Sequence, residues 1–126
     1  MTAPKVLVIE DDSLLAFEMQ DILSEAGYEI VGPAATVAKA LRLIESQDIH
    51  AAFVDCNLHG EYATAVVQAL TARNIPFVVV TGSERESLPP EFNNGAFATK
   101  PFSVARLLEI ARTLLSAGAA AASPQS

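Results

Sequence analysis

A single cysteine, Cys56, leaves the chain without a partner for an internal disulfide. Cys56, His50 and His59 do not make up a zinc-ligand set, since structural zinc takes four ligands at close spacings. The chain also lacks any apolar run approaching the roughly 18 residues that a membrane helix needs. No apolar segment follows a basic start, so a secreted protein is not indicated and a cytoplasmic one is expected. Basic residues are scarce as well: 8 Lys and Arg face 15 Asp and Glu, for a formal charge of −7. Contact with a nucleic-acid backbone depends on clustered Lys and Arg, so this balance argues against it. Most of the excess acid serves solubility. The consecutive Glu10-Asp11-Asp12 is different, because three adjacent carboxylates repel one another.

What is present is a core. Residues of hydrophobic type make up 51% of 126 residues, and a chain of that length buries about two thirds of its surface on folding. Ile49 through Val54 is a short, mostly apolar run that stops at Asp55, as a strand buried on both faces of a parallel sheet would. Three other runs also end in polar groups. Lys5-Val6-Leu7-Val8-Ile9 meets Glu10-Asp11-Asp12, Phe77-Val78-Val79-Val80 meets Thr81-Gly82, and Ala96-Phe97-Ala98-Thr99 meets Lys100-Pro101. Glu29-Ile30-Val31 is a shorter strand closed by Gly32-Pro33.

Between the strands the apolar spacing turns helical. Leu15, Met19, Ile22, Leu23 and Ala26 form one face after a cap at Asp12 or Ser13, and Gly27 ends that helix. Thr36 caps a second helix with Val37, Ala40, Leu41 and Ile44 inward. A loop holding Gly60 leads to a third with Ala63, Val66, Val67 and Leu70, stopped by Asn74-Ile75-Pro76. Ser103 caps the last, with Val104, Leu107, Leu108, Ala111, Leu114 and Leu115 inward. Residues 84–95 contain Leu88-Pro89-Pro90 and Asn93-Asn94-Gly95 and predict a loop with at most one turn of helix. The domain is expected to span residues 1–116, followed by a flexible alanine-rich tail at 117–126. Alternating strands and helices give an α/β, doubly wound five-stranded parallel sheet with right-handed crossovers. A flavodoxin-like strand order 2-1-3-4-5 fits by analogy.

Parallel strands gather their ends on one edge, where open α/β folds bind ligands. Glu10, Asp11 and Asp55 would meet there, and clustered carboxylates suit magnesium, which keeps some of its waters. Asp12 reads as an acidic helix start favoured by the helix dipole. Lys100 ends a strand before a proline, and a cis bond at Pro101 would aim its ammonium across the edge toward a phosphate or carboxylate. Cys56 reads as a small buried side chain. His50 and His59 read as surface groups.

Glu10-Asp11, Asp55, Thr81 and Lys100-Pro101-Phe102, in this order at strand ends, resemble the receiver domain of two-component response regulators (CheY-like). The resemblance covers residues 5 to about 115. It implies that Asp55 accepts a phosphoryl group from a histidine kinase or a histidine phosphotransfer protein. It further implies that Asp11 binds Mg2+ directly and Glu10 through water, with Asp55 and the Asn57 backbone carbonyl completing the ligands. Thr81 and Lys100 would hold phosphoryl oxygens, and Phe97 would occupy the position of an aromatic that moves on activation; ordinary core packing is the alternative for Phe97. The stretch from Ile75 to Gly82, with Leu88-Pro89 and Phe92, resembles an atypical single-domain subgroup with a Phe-Ala-Thr-Gly-x-Tyr signature and a loop in place of the fourth helix. This chain keeps Thr81-Gly82 but has Val79 and Val80 before them and lacks the tyrosine.

The expectation is therefore a stand-alone receiver that signals by protein contact or acts as a phosphate shuttle or sink. It would be no enzyme beyond catalysing its own phosphorylation and dephosphorylation. Leu14, Glu18 and Phe102 are the expected kinase contacts, with core packing the alternative for Phe102. The alternative is a magnesium-dependent aspartyl-phosphate phosphatase-like enzyme, but that chemistry wants a second acid two residues after the nucleophile, where this chain has Asn57. A nucleotide- or flavin-binding module would want glycines or hydroxyls after the first strand, where Glu10-Asp11-Asp12 stands.

Overall fold

The computed structural model describes residues 3–82, 89–94 and 96–122. Five parallel strands make the sheet: β1 (Lys5–Ile9), β2 (Glu29–Ala34), β3 (Ala51–Asp55), β6 (Phe77–Thr81) and β7 (Ala96–Thr99). Their order is β2-β1-β3-β6-β7. Counted along the five strands this is 2-1-3-4-5, the flavodoxin-like order. Helices α1 (Ser13–Glu25), α2 (Val37–Ser46), α3 (Thr64–Ala72) and α4 (Val104–Ala122) cover the faces. A two-stranded hairpin, β4 (Asn57–Leu58) and β5 (Glu61–Tyr62), follows β3.

Successive strand residues point to opposite faces, and both faces are apolar. Leu7, Ile9, Ala52, Val54 and Val79 join the α2/α3 cluster. Val6, Val8, Phe53, Val78 and Val80 join the α1/α4 cluster. Every residue of β3 and of β6 is buried, which is why those runs show no polar alternation.

The caps form as the sequence reads. Asp12 accepts from the N–H groups of Leu14 and Leu15 at 3.0 and 3.2 Å. Thr36 accepts from Lys39 N–H and Ser103 from Arg106 N–H, both at 3.1 Å. At the end of α1, Gly27 has φ +101°, and the N–H groups of Gly27 and Tyr28 bond the carbonyls of Ser24 and Leu23. That pair of bonds is a Schellman ending, which needs the left-handed backbone glycine supplies.

Several local readings are corrected. β2 does not stop at Gly32-Pro33 but continues to Ala34, with a register irregularity opposite Leu7 and Ile9. Gly32 allows this passage: its φ is +95°, and a Cβ there would lie 2.9 Å from the Ala34 nitrogen and 3.0 Å from the Val8 oxygen. The Gly32–Pro33 peptide is cis. On α1, Met19 and Leu23 are buried together with Ala16, and Leu15 and Ile22 pack half-buried on the same cluster, while Ala26 is the exposed C-cap. On α4, Val104 is exposed at the helix's first turn, and Ile110 is buried instead. That helix runs to Ala122, and alanine, which fills its last turns, is the strongest helix former. Between β6 and β7, a 3-10 helix at Pro90–Asn94 supplies the single turn expected there. The rest of that reading, at 84–88 and Gly95, lies outside the described residues.

Candidate functional site

Sheet register brings the acids together. Ile9 pairs with Val54, so the next residues, Glu10 and Asp55, leave neighbouring strands side by side. Ladder bonds extend past the strand ends: Cys56 N–H donates to the Val80 carbonyl at 3.2 Å, and Lys100 N–H to the Thr81 carbonyl at 2.8 Å. Glu10 N–H donates to the Ala34 carbonyl at 2.9 Å, which ties the first acid to the end of β2. Glu10 and Lys100, and Asp55 through its neighbour Cys56, are therefore placed by main chain.

Glu10, Asp55 and Thr81 are the buried polar residues among those described. A carboxylate oxygen of each of Glu10, Asp11 and Asp55 lies within 4.8 Å of the others. Into this group reaches Lys100, with Nζ 3.2 Å from Glu10 Oε1 and 3.3 Å from Asp55 Oδ2. The Lys100–Pro101 peptide is cis. Thr81 donates its hydroxyl to the Gly82 carbonyl at 3.3 Å.

Electrostatics follow from crowding. Burial, then the hydrogen bond and negative charge of Asp55, push the Glu10 carboxyl up from 4.5 to about 8, although Asp12 N–H and Lys100 pull the other way. For Asp11, burial alone would raise the carboxyl. The His59 N–H, the hydrogen bond with Asp55 and the His59 ring outweigh it and hold Asp11 low. Burial would lower the Lys100 ammonium, but Asp55 and Glu10 keep it raised. The pocket thus holds more negative charge than one lysine neutralises. Its donors are carboxylate oxygens, which fits a hard divalent cation.

Other expected residues divide. Phe97 is half-buried and packs on the α2/α3 cluster, paired with Val79 in the sheet. Leu14, Glu18 and Phe102 come together with Lys100 and Pro101 around one groove of about 330 Å³. Leu14 is exposed there, while Phe102 is half-buried against the α1/α4 cluster. Cys56 is fully buried. His50 accepts from Lys5 N–H at 2.9 Å, at the end of β1 opposite to Glu10.

His59 is the residue that sequence reasoning missed. Its side chain is exposed, as expected, but its N–H donates to Asp11 Oδ2 at 2.9 Å, and its Nδ1 lies 3.9 Å from the same oxygen. It sits with Gly60 at the tip of the β4–β5 hairpin, with φ of +52° and +86°. The signal was weak: two-residue hairpin turns are usually marked by Asn-Gly or Asp-Gly, not His-Gly.

Doubly wound order and acids converging at the carboxyl edge define a CheY-like receiver fold. The family comparison agrees, matching a response regulator receiver domain over residues 6–112. The chain belongs to that family and is a two-component receiver. It is similar to the transcriptional regulatory protein PdtaR of Mycobacterium tuberculosis (strain CDC 1551 / Oshkosh), 31% identical over 108 residues, 82% of this chain and 53% of that protein. The chain spans about half the length of the curated relatives it matches. Among solved structures, SdrG from Sphingomonas melonis Fr1 is 36% identical with a TM-score of 0.77, covering 90% of this chain and 97% of that one. A CheY-like receiver from Methanospirillum hungatei JF-1 is 26% identical with a TM-score of 0.81, over 94% of this chain and 98% of that one. No described helix is long and apolar enough to cross a membrane.

Proposed function

We propose that this receiver accepts a phosphoryl group from a phosphohistidine onto Asp55, with Mg2+ held by Asp11, Asp55 and the Asn57 carbonyl, and by Glu10 through water. The observation that carries it is the convergence of the Glu10, Asp11 and Asp55 oxygens within 4.8 Å, with Lys100 at 3.2 to 3.3 Å from two of them. A carboxylate and a phosphoryl group are both anionic and repel, so the site's task is to cancel charge and hold the reacting atoms in line. Bound Mg2+ supplies a Lewis acid for the phosphoryl oxygens. An Asp55 oxygen bonds to phosphorus as the P–N bond breaks, and the departing electron pair returns to the imidazole, which takes a proton. Lys100 moves from bridging two carboxylates to pairing a phosphoryl oxygen. Thr81 turns its hydroxyl from the Gly82 carbonyl to another. Water later cleaves the acyl phosphate, so the domain resets itself.

The kinase or phosphotransfer domain docks at the groove of Leu14, Glu18 and Phe102, beside Lys100. Phe97 responds through its pairing with β6. With a 3-10 turn at Pro90–Asn94 among the described residues between β6 and β7, the chain fits the atypical subgroup, and it passes the phosphoryl group on or signals by protein contact. Incubation with acetyl phosphate and Mg2+, read by intact mass, tests the core of this. A phosphoryl mass increase that disappears in Asp55→Ala and on chelation is expected, a loss of roughly 100-fold or more since the nucleophile is gone. Turnover of phosphoester substrates without stable labelling would instead identify a phosphatase.

A further inference from the structure

The hairpin after Asp55 touches the acidic pocket with one end and the α2/α3 face with the other. At its tip the His59 N–H donates to Asp11 Oδ2 at 2.9 Å. Three residues on, Tyr62 meets Phe92 edge-on, with ring centroids 6.5 Å apart at 63°. Phe92 is fully buried and is the residue by which the 3-10 helix Pro90–Asn94 enters the α2/α3 cluster.

The hairpin is built to move as a unit. Its two tip residues both have positive φ, the geometry that two-residue turns need to match strand twist. Gly60 N–H donates to Asn57 Oδ1 at 2.9 Å, and Ala63 N–H to the Cys56 carbonyl at 2.9 Å closes the base. Asn57 N–H reaches Asp55 Oδ1 at 3.3 Å. Asp11 and Asp55, the two acids that would bind a cation directly, are therefore each hydrogen-bonded to this one short element.

We propose that His59 is a positioning residue for Asp11 and that the 57–62 hairpin carries the state of the acidic pocket to Phe92 through Tyr62. This rests on reading the pocket as a Mg2+ site. A backbone N–H on one oxygen of a ligating carboxylate fixes its orientation and leaves the other oxygen for the cation. Cation capture draws charge away from the oxygen that His59 holds and shifts Asp11, and the tip follows. Because the hairpin is stiff, the shift reaches Tyr62, whose ring bears on Phe92. The route is separate from the one along β6 and β7 through Thr81 and Phe97.

The test titrates the full chain with Mg2+ alone and follows the amides of Asp55 and His59 and the rings of Tyr62 and Phe92 by NMR. All four are expected to shift on one binding curve. In Tyr62→Ala the Asp55 and His59 responses persist, while the Phe92 response falls about threefold or more, in line with coupling carried by a single contact. Asp55 shifting while Tyr62 and Phe92 stay still overturns the relay and leaves the Mg2+ site intact. An undiminished Phe92 response in Tyr62→Ala overturns the route. No response at any of the four overturns both the relay and the Mg2+ reading.

Positioning is tested separately with a turn variant. Gly60→Val adds a Cβ with nothing within 4 Å but disfavours the turn backbone, so Mg2+ binds several-fold more weakly while the sheet amides keep their positions. Unchanged Mg2+ affinity in Gly60→Val overturns the positioning role.

Discussion

The two faces of the sheet are closed in different ways. On one, α1 and α4 lie over the strands, and the largest buried ring, Phe53, comes from the central strand β3 itself. On the other, α2 and α3 are shorter, and the remaining gap is filled by Phe92, which belongs to a 3-10 helix of five residues. The first face is sealed by elements that cannot leave without dismantling the sheet. The second is sealed in part by one side chain on a short segment, held by the core beneath it and by the edge of Tyr62, a contact worth about 0.5–1.5 kcal/mol beyond burial. A switch drawn from the least stable part of a fold can move while the rest stays folded. Glu10 and Asp55 stand at the ends of the buried strands β1 and β3, whereas the 90–94 segment belongs to the yielding face.

The largest expected effect tests the contrast directly. Phe53→Ala leaves a cavity under a central strand and should cost about 4–5 kcal/mol, whereas Phe92→Ala should cost nearer 3, because its segment can settle inward. Urea unfolding gives both numbers. Hydrogen exchange should show Phe92→Ala loosening β7 and the 90–94 segment while β1 and β3 stay protected. Equal costs with uniform loosening would break the contrast and make Phe92 an ordinary core residue.

How much of this was written in the residue order follows the same division. The rigid parts were legible, because buried parallel strands appear as uninterrupted apolar runs and Asp12, Thr36 and Ser103 are strong caps. Asp55 and Lys100 stood out because each ends such a run. The hairpin was not legible: strands of two residues carry no periodicity, and its bond to Asp11 is made by a backbone N–H that any residue but proline possesses. β2 was read too short, since proline and glycine usually end a strand and only the close approach to Val8 shows why Gly32 belongs inside it. Val104 was read inward because a helical wheel cannot tell that the first turn of α4 overhangs the sheet end. Strand order came from resemblance to a family, not from residue spacing.

The next effect concerns charge on the rigid side. Glu10 keeps its proton to about pH 8 in the folded chain, against an ordinary value of 4.5. Between those values the folded state binds more protons than the unfolded state, so stability falls as pH rises through the window, at up to about 1.4 kcal/mol per unit. Below 4.5 and above about 8 the slope from this group vanishes. Glu10→Gln should flatten the profile and be the more stable protein at the alkaline end. Millimolar Mg2+ should flatten the wild-type profile too, since the cation takes over the proton's task. Thermal unfolding across that window measures all three. A wild-type profile already level without Mg2+ would mean that Lys100 alone balances the buried acids.

The smallest effect concerns three ion pairs with similar separations. Arg106 and Glu109 on α4 meet at 2.9 Å with side chains 50% and 58% exposed. Lys100 meets Glu10 and Asp55 at 3.2 and 3.3 Å, where the acids are 2% and 8% exposed. Distance does not rank them; solvent does. Water and salt screen the α4 pair, so Arg106→Ala should cost about 0.3 kcal/mol and nothing measurable at high salt. Removing Lys100 strands the buried acids Glu10 and Asp55, and there the cost is set by what the acids lost on leaving water. Lys100→Met should therefore destabilise well beyond Arg106→Ala in metal-free buffer, and Mg2+ should restore part of the loss. A cost above about 1 kcal/mol for Arg106→Ala would exceed what an exposed i,i+3 pair supplies. It would mean that α4 is held by its outer surface as well as by its buried side, and the division between a rigid and a yielding face would have to be drawn elsewhere.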